Sequence, residues 1–230
     1  MPQPLIATGT RSLTRLTSAV AEENKKRPSV YAIAEVPLEH LTTRWIAFDG
    51  LSDCRQDHVA IQFGGGNAKR PLVRLHSSCI TSDVFGSERC DCGAQLREAI
   101  AVLARNGGYL LYLQQEGRGI GLREKIRSYA LQDHEDVDTF EANRRLGHAA
   151  DGRNYVVAAE MLAALGLQKI SLLTNNPDKV RQLRAGGLDV KRVPTGTHLT
   201  SSNTKYLRAK KNLAGHLLDI GFTRTSRKVS

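Results

Sequence analysis

Aromatic residues are scarce in this 230-residue chain, at 5%, with a single tryptophan, Trp45. So thin a supply weakly disfavours a surface built to stack on nucleic-acid bases. Long apolar runs are missing too. None approaches the roughly 18–20 residues of a membrane span, so no membrane partner is expected. The first thirty residues lack the apolar core of about 7–15 residues that marks a secretory signal. They carry Glu22 and Glu23 instead, and a cytoplasmic location is expected. Only four cysteines are present, which in a reducing compartment argues against a disulfide scaffold. Acidic residues are in deficit, 23 against 33 Lys and Arg, for a net charge of +10. That balance favours nucleic acid, acidic membrane or small polyanions such as nucleotides, and charge alone does not choose among them. What remains, 40% hydrophobic and 24% charged with seven prolines, is the composition of a globular protein.

Three stretches are expected. Residues 1–30 are Thr/Ser-rich and end in Lys25, Lys26, Arg27 and Pro28; they read as a flexible basic extension in which Leu13, Leu16 and Val20 can mark one weak amphipathic helix. Residues 31–220 read as one folded domain and residues 221–230 as a basic tail with Arg224, Arg227 and Lys228. Within the domain, Tyr31–Val36, Arg44–Phe48, His58–Phe63 and Pro71–Leu75 are short half-alternating strands. After residue 92 the period changes: Leu96, Ala99, Ile100 and Leu103 mark a helix closed by Gly107. Tyr109–Leu113 is an apolar strand, followed by a glycine-rich turn and a helix through about Leu131. Residues 132–141 read as a polar loop. Asp151 is expected to cap a helix with Tyr155, Val156, Ala159, Leu162 and Ala163 inward. Lys169–Leu173 is a strand, Asp178–Ala185 a helix, and Leu188–Val193 another strand. A β-rich first half packed on strand–helix units is a mixed α/β fold.

The sharpest local feature is Cys79, Cys90 and Cys92, crowded into fourteen residues. Thiolates suit Zn²⁺, and Cys90 with Cys92 reach one ion only if the backbone turns tightly, for which Gly93 is suited. Ser87, Glu88, Arg89 and Asp91 do not look like a core segment, which weighs against cysteines buried as plain hydrophobes. Cys54 stands apart, so three ligands are expected. Three protein ligands leave an open position, as in catalytic zinc sites, and such an ion supplies a nucleophilic water near neutral pH. His76 can instead close the tetrahedron and make the site structural.

Residues 115–121 (Gln-Glu-Gly-Arg-Gly-Ile-Gly) follow a buried strand and open a helix, a location that favours anions. Arg118 adds a bidentate phosphate donor. Thr174 to Lys179 form a second strand-to-helix turn with donors for phosphate or purine, although taken by itself it is better explained by ordinary N-cap chemistry. Arg153, two residues beyond Asp151, is either an exposed first-turn cation or a phosphate clamp. Lys205, Arg208, Lys210 and Lys211 read as a solvated basic helix face.

Six blocks taken together are recognisable: residues 74–79 (Arg-Leu-His-Ser-Ser-Cys), 89–93 (Arg-Cys-Asp-Cys-Gly), 115–118 (Gln-Glu-Gly-Arg), 129–133 (Tyr-Ala-Leu-Gln-Asp), Asp151 with Arg153, and 173–177 (Leu-Thr-Asn-Asn-Pro). In order and spacing, over about residues 30–218, they resemble GTP cyclohydrolase II, the family that begins riboflavin biosynthesis. The chain looks too short to carry the dihydroxybutanone phosphate synthase domain fused to some members.

The resemblance implies hydrolysis of GTP to 2,5-diamino-6-ribosylamino-4(3H)-pyrimidinone 5′-phosphate, formate and diphosphate. It implies one zinc per subunit, magnesium with the GTP phosphates, and a homodimer. Carried over by motif, Cys79, Cys90 and Cys92 are the ligands of the zinc that activates water for attack at C8 of guanine. Arg153 takes the family's unusual nucleophile role at the α-phosphorus with Asp151 as its proton acceptor, although a guanidinium is better suited to clamping phosphate. Tyr129 stands near the ring-opening centre. Arg74, Leu75, His76, Ser77, Ser78, Gln95, Glu116, Gly117, Arg118, Thr139, Thr174 and Lys179 line the GTP site.

One departure is plain. The family usually has Glu immediately before the first zinc cysteine, where this chain has Ser78. With the long N-terminal extension, this suggests a paralog of secondary metabolism or base catabolism, with altered substrate or halting at the formamidopyrimidine. A basic, zinc-stabilised nucleic-acid-binding module is the alternative of another class, and nucleic acid is the less expected partner.

Overall fold

The computed structural model describes residues 26–38, 40–53, 57–65, 68–149 and 151–219. Most of the basic extension, Cys54 and the basic tail lie outside them. The chain runs β1 (Ser29–Leu38), β2 (Leu41–Asp49), β3 (Val59–Phe63), β4 (Leu72–Ser77), α1 (Ile80–Asp83), α2 (Cys92–Asn106) and β5 (Gly108–Leu113). A 3₁₀ turn at Glu116–Gly119 leads into α3 (Gly121–Glu135), α4 (Thr139–Arg145), α5 (Val156–Ala164), β6 (Lys169–Leu173), α6 (Pro177–Ala185), β7 (Asp189–Val193) and α7 (Thr204–Ala214).

All seven strands form one sheet in the order β1-β2-β3-β5-β4-β6-β7. The β1–β2, β2–β3 and β3–β5 pairings are antiparallel, whereas β4 pairs in parallel with β5 and β6, and β6 with β7. This is the mixed α/β fold expected. Short links allow the antiparallel return from β1 to β2 and on to β3, while parallel strands require a crossover, here supplied by helices. The parallel strands read as near-continuous apolar runs because both faces are covered; Leu110, Leu111, Leu113, Val73 and Leu75 are all buried. One core cluster joins these strands to Tyr155, Met161 and Leu162 of the α5 region, and a smaller one packs Leu103 of α2 against Ile61, Phe63 and Leu110.

Several local expectations need correction. Residues 132–141 are not a loop: α3 continues to Glu135 and α4 starts at Thr139, capped by Asp138 Oδ1, which accepts from Phe140 N at 2.7 Å and Glu141 N at 3.0 Å. An Asp at the N-cap is itself a helix-start signal. Asp151 does not cap α5; the helix starts at Val156. Its buried face is Val157, Ala158, Met161 and Leu162, with Val156 53% exposed. With the start displaced, the inward register rotates by one residue.

The carboxyl ends of parallel strands are the usual place for a ligand in such sheets. Here β4 delivers Ser77 to Cys79, β5 delivers the Glu116–Gly119 turn, and β6 delivers Thr174.

Candidate metal centre and nucleotide cleft

Cys79 lies between β4 and α1, immediately before the helix, and its backbone N–H donates to Asp83 Oδ2 at 3.0 Å. Cys90 and Cys92 sit where α2 begins. The N-terminus of α2 packs directly on α1: Gly93 N donates to Ser82 Oγ at 3.0 Å, and a Cβ on Gly93 would lie 2.4 Å from Ser82 O. Gly93 is therefore required for close approach of two backbones, not for a turn. That approach draws the three thiols together, with every Sγ within 4.8 Å of the others and Cys79 3.7 Å from Cys90. Sulfurs about 2.3 Å from a tetrahedral zinc stand about 3.8 Å apart, so the cluster fits this ion.

The charge environment favours one thiolate, at Cys79. Hydrogen bonds from Cys90 and Cys92, and then the Lys125 ammonium, hold the Cys79 thiol far below its ordinary pKa, while Cys90 and Cys92 are pushed up. Lys125 Nζ donates to Cys79 Sγ at 3.0 Å, Thr81 Oγ1 at 2.9 Å and Glu116 Oε1 at 2.8 Å. Burial pulls Lys125 down, but its bonds to Glu116 and Cys79 outweigh this and keep it charged. Glu116 is fixed in turn, its Oε2 accepting from Ile80 N at 2.7 Å.

His76 does not close the tetrahedron. Its Nε2 lies 3.0 Å from Asp83 Oδ2, its ring stacks on Tyr112, and burial lowers its pKa, so it is a neutral ring holding Asp83. Among the described residues the metal-capable group consists of the three cysteines alone.

A cleft opens over the thiols. Of the expected site residues, Ser77, Ser78, Glu116, Gly117, Arg118, Tyr129, Thr139 and Arg153 line it beside the cysteines. Gly117 and Arg118 both take left-handed backbone angles, φ 60° and 64°, which aims Arg118 inward; its guanidinium lies 3.8 Å over Phe140 and its buried NH1 has no partner. The buried Ser78 Oγ is likewise unpartnered. Arg153 Nε donates to Asp151 Oδ1 at 2.9 Å, a contact that makes Asp151 an orienting partner at the rim. Burial alone raises the carboxyl's pKa and lowers the guanidinium's; the contact with Arg153 nonetheless holds Asp151 below its ordinary value, and Tyr155 followed by Asp151 hold Arg153 above its own. Tyr129 carries the Arg89 guanidinium 4.4 Å above its ring, and burial raises its pKa.

The remaining expected residues lie behind the cleft. Leu75 is in the core at 1% exposure. Arg74 NH1 donates to Leu173 O at 3.1 Å and its NH2 to Gln95 Oε1 at 2.8 Å, while Lys179 Nζ donates to Leu75 O at 2.8 Å. Burial first, and then Arg74 and Arg153, push Lys179 well below its ordinary value. Thr174 Oγ1 accepts from Asn176 N at 3.0 Å, and Asn176 caps α6.

Lys125, Tyr206 and Lys210 were not foreseen as site residues. Lys210 corrects the solvated-face expectation, being 7% exposed and bonded to Asp91, itself 1% exposed. The signal was spacing: Lys125 stands four residues before Tyr129 on α3, hence on the same helix face.

The model of the family described as GTP cyclohydrolase II matches residues 30–194. GTP cyclohydrolase-2 of Psychromonas ingrahamii is 48% identical over 179 residues, 76% of this chain and 88% of that protein. GTP cyclohydrolase-2 of Vibrio cholerae is 47% identical over 178 residues, 76% and 89% of the two chains. The riboflavin biosynthesis protein RibBA of Bacillus cereus is 47% identical over 188 residues, 80% of this chain and 47% of the longer protein. A metal-capable thiol triad at the floor of a cationic cleft and this breadth of similarity agree: the chain belongs to the GTP cyclohydrolase II family.

Proposed function

We propose that this chain hydrolyses GTP to 2,5-diamino-6-ribosylamino-4(3H)-pyrimidinone 5′-phosphate, formate and diphosphate, with zinc on Cys79, Cys90 and Cys92 and magnesium on the phosphates, as a cytoplasmic homodimer. The observation that carries this reading is the convergence of three thiols with Arg118, Arg153, Lys125 and Tyr129 around one cleft. A zinc ion held there supplies Lewis acidity, which makes water nucleophilic near neutral pH. The protein's own groups do the rest. The unpartnered Arg118 NH1 offers a donor to phosphate, and bidentate guanidinium–phosphate pairs are strong and geometrically specific. Asp151 orients Arg153 toward the same anion. Lys125 bridges Cys79 and Glu116, its single positive charge offsetting one unit of the negative charge gathered there. Burial keeps the Tyr129 phenol protonated and able to donate to the opening ring, against the opposing pull of Lys125, whose Nζ lies 5.7 Å from the ring centroid.

Ser78 favours a second reading. Where the family usually carries Glu, the buried Ser78 hydroxyl has no partner and faces the cleft, so loss of formate after ring opening lacks a carboxylate at position 78, and Glu116 on the same cleft is already engaged by Lys125 and Ile80 N. Incubation with GTP and Mg²⁺, followed by formate, diphosphate and product-mass analysis, separates the outcomes. Equimolar formate and diphosphate support the full reaction. A product heavier by CO supports arrest at the formamidopyrimidine, and binding of DNA or RNA without turnover contradicts both.

A further inference from the structure

The family match ends at residue 194, yet the chain beyond it is strapped across the metal-ligand end of α2. Glu98 on α2 accepts from Thr195 Oγ1 and Gly196 N, each at 2.8 Å, and lies 2.8 Å from His198 Nε2. Leu217 N donates to Asn175 O at 2.9 Å, fixing the far end. Between these anchors, α7 sends Lys210 Nζ to Asp91 Oδ1 at 2.6 Å. Asp91 is the residue between Cys90 and Cys92, and its second oxygen accepts from Gln95 Nε2 at 2.6 Å. Both members of the ion pair are buried. One helical turn before Lys210, Tyr206 lines the cleft, its ring centroid 5.6 Å from the Arg118 guanidinium and 4.6 Å from Lys210 Nζ.

We propose that Lys210 is a positioning residue of the metal centre: its buried ion pair with Asp91 holds the Cys90–Cys92 turn in ligating geometry, and α7 thereby completes the site with Tyr206 as part of the cleft wall. This rests on the zinc reading above. Two ligands separated by one residue reach a single ion only in a narrow range of backbone conformations, and Asp91 is gripped there from both α2 and α7. Groups that orient metal ligands are worth about 10- to 100-fold in metal affinity. A buried carboxylate stripped of its cation is stranded, which would open the turn.

The test is zinc transfer from the loaded full-length protein to a chromophoric chelator, at a temperature where circular dichroism shows every variant folded. Lys210→Met is expected to release zinc about 10- to 100-fold faster. Lys210→Arg, which keeps the charge, stays close to the unmodified rate, and the Asp91→Asn Lys210→Met double variant falls between. Met161→Ala, a core change away from the turn, lowers the melting temperature and leaves the transfer rate alone. Should Lys210→Met fail to fold, the double variant decides by the same measurement. Zinc held equally firmly by all variants overturns this inference alone; an unmodified chain that binds no zinc overturns the metal reading as well.

Discussion

Arg153 shows how one residue's role depends on its neighbours. An exposed arginine two positions after an aspartate would be an ordinary surface ion pair, worth little. Here the Arg153 side chain turns into the cleft and Asp151 meets its Nε at 2.9 Å. Their contact depresses the Asp151 pKa, so the stability it contributes is present above the ordinary carboxylate value of about 3.9 and is lost as pH falls through the lower folded value. Lysine keeps the charge but not the planar fork. Arg153→Lys is therefore expected to lower formate and diphosphate release together, by on the order of 10- to 100-fold, in parallel product assays; undiminished release of both contradicts a role at the reacting phosphate. Ser78 carries the opposite lesson, since its buried hydroxyl at the cleft has no neighbour that fixes its role.

At the scale of elements, the metal centre exists because α1 and α2 touch through backbone at Gly93. A Cβ there would meet Ser82 O at 2.4 Å, and over-packing of this kind costs about 1–3 kcal/mol. Gly93→Ala is expected to lower stability by that amount in urea unfolding and to reduce bound zinc measured by atomic emission; an unchanged zinc content would show that the two helices need not approach so closely. Much of this was legible beforehand. The strands were visible from half-alternation and apolar runs, α2 from its period, and the thiol triad from ligand chemistry. The α5 boundary was not, because Asp151 imitates an N-cap while spending its carboxylate on Arg153. Gly93 was identified for the wrong reason, since a sequence shows that a side chain is missing but not what occupies its place. Lys210 was misread because a basic helix face gives no sign of a buried acid more than a hundred residues earlier.

For the whole molecule, pH and charge matter most. His58 is buried, and its Nδ1 accepts from Gln114 N at 3.0 Å, so protonation would break the bond that steadies the chain entering the Glu116 turn. Burial lowers its pKa, and lowers that of His216 to about 3. Both rings are neutral in the fold and take up protons on unfolding near the ordinary value of about 6.5. The unfolded chain thus binds more protons below that pH, so stability is full above about 6.5 and falls as pH drops, by about 1.4 kcal/mol per pH unit for each such proton. Melting temperatures between pH 7.5 and pH 5 are expected to show this decline, and His58→Gln to flatten it; equal slopes would remove His58 from the account. The net charge of +10 adds a long-range attraction for the anionic substrate that weakens with salt.

Zinc removal and return decide most directly whether the thiol triad is a catalytic centre. The zinc-free chain is expected to keep its circular dichroism spectrum and cooperative melting, to release no formate from GTP, and to regain full release at one equivalent of zinc per chain. Formate release without the metal, or unfolding when it leaves, would contradict a catalytic ion at Cys79, Cys90 and Cys92.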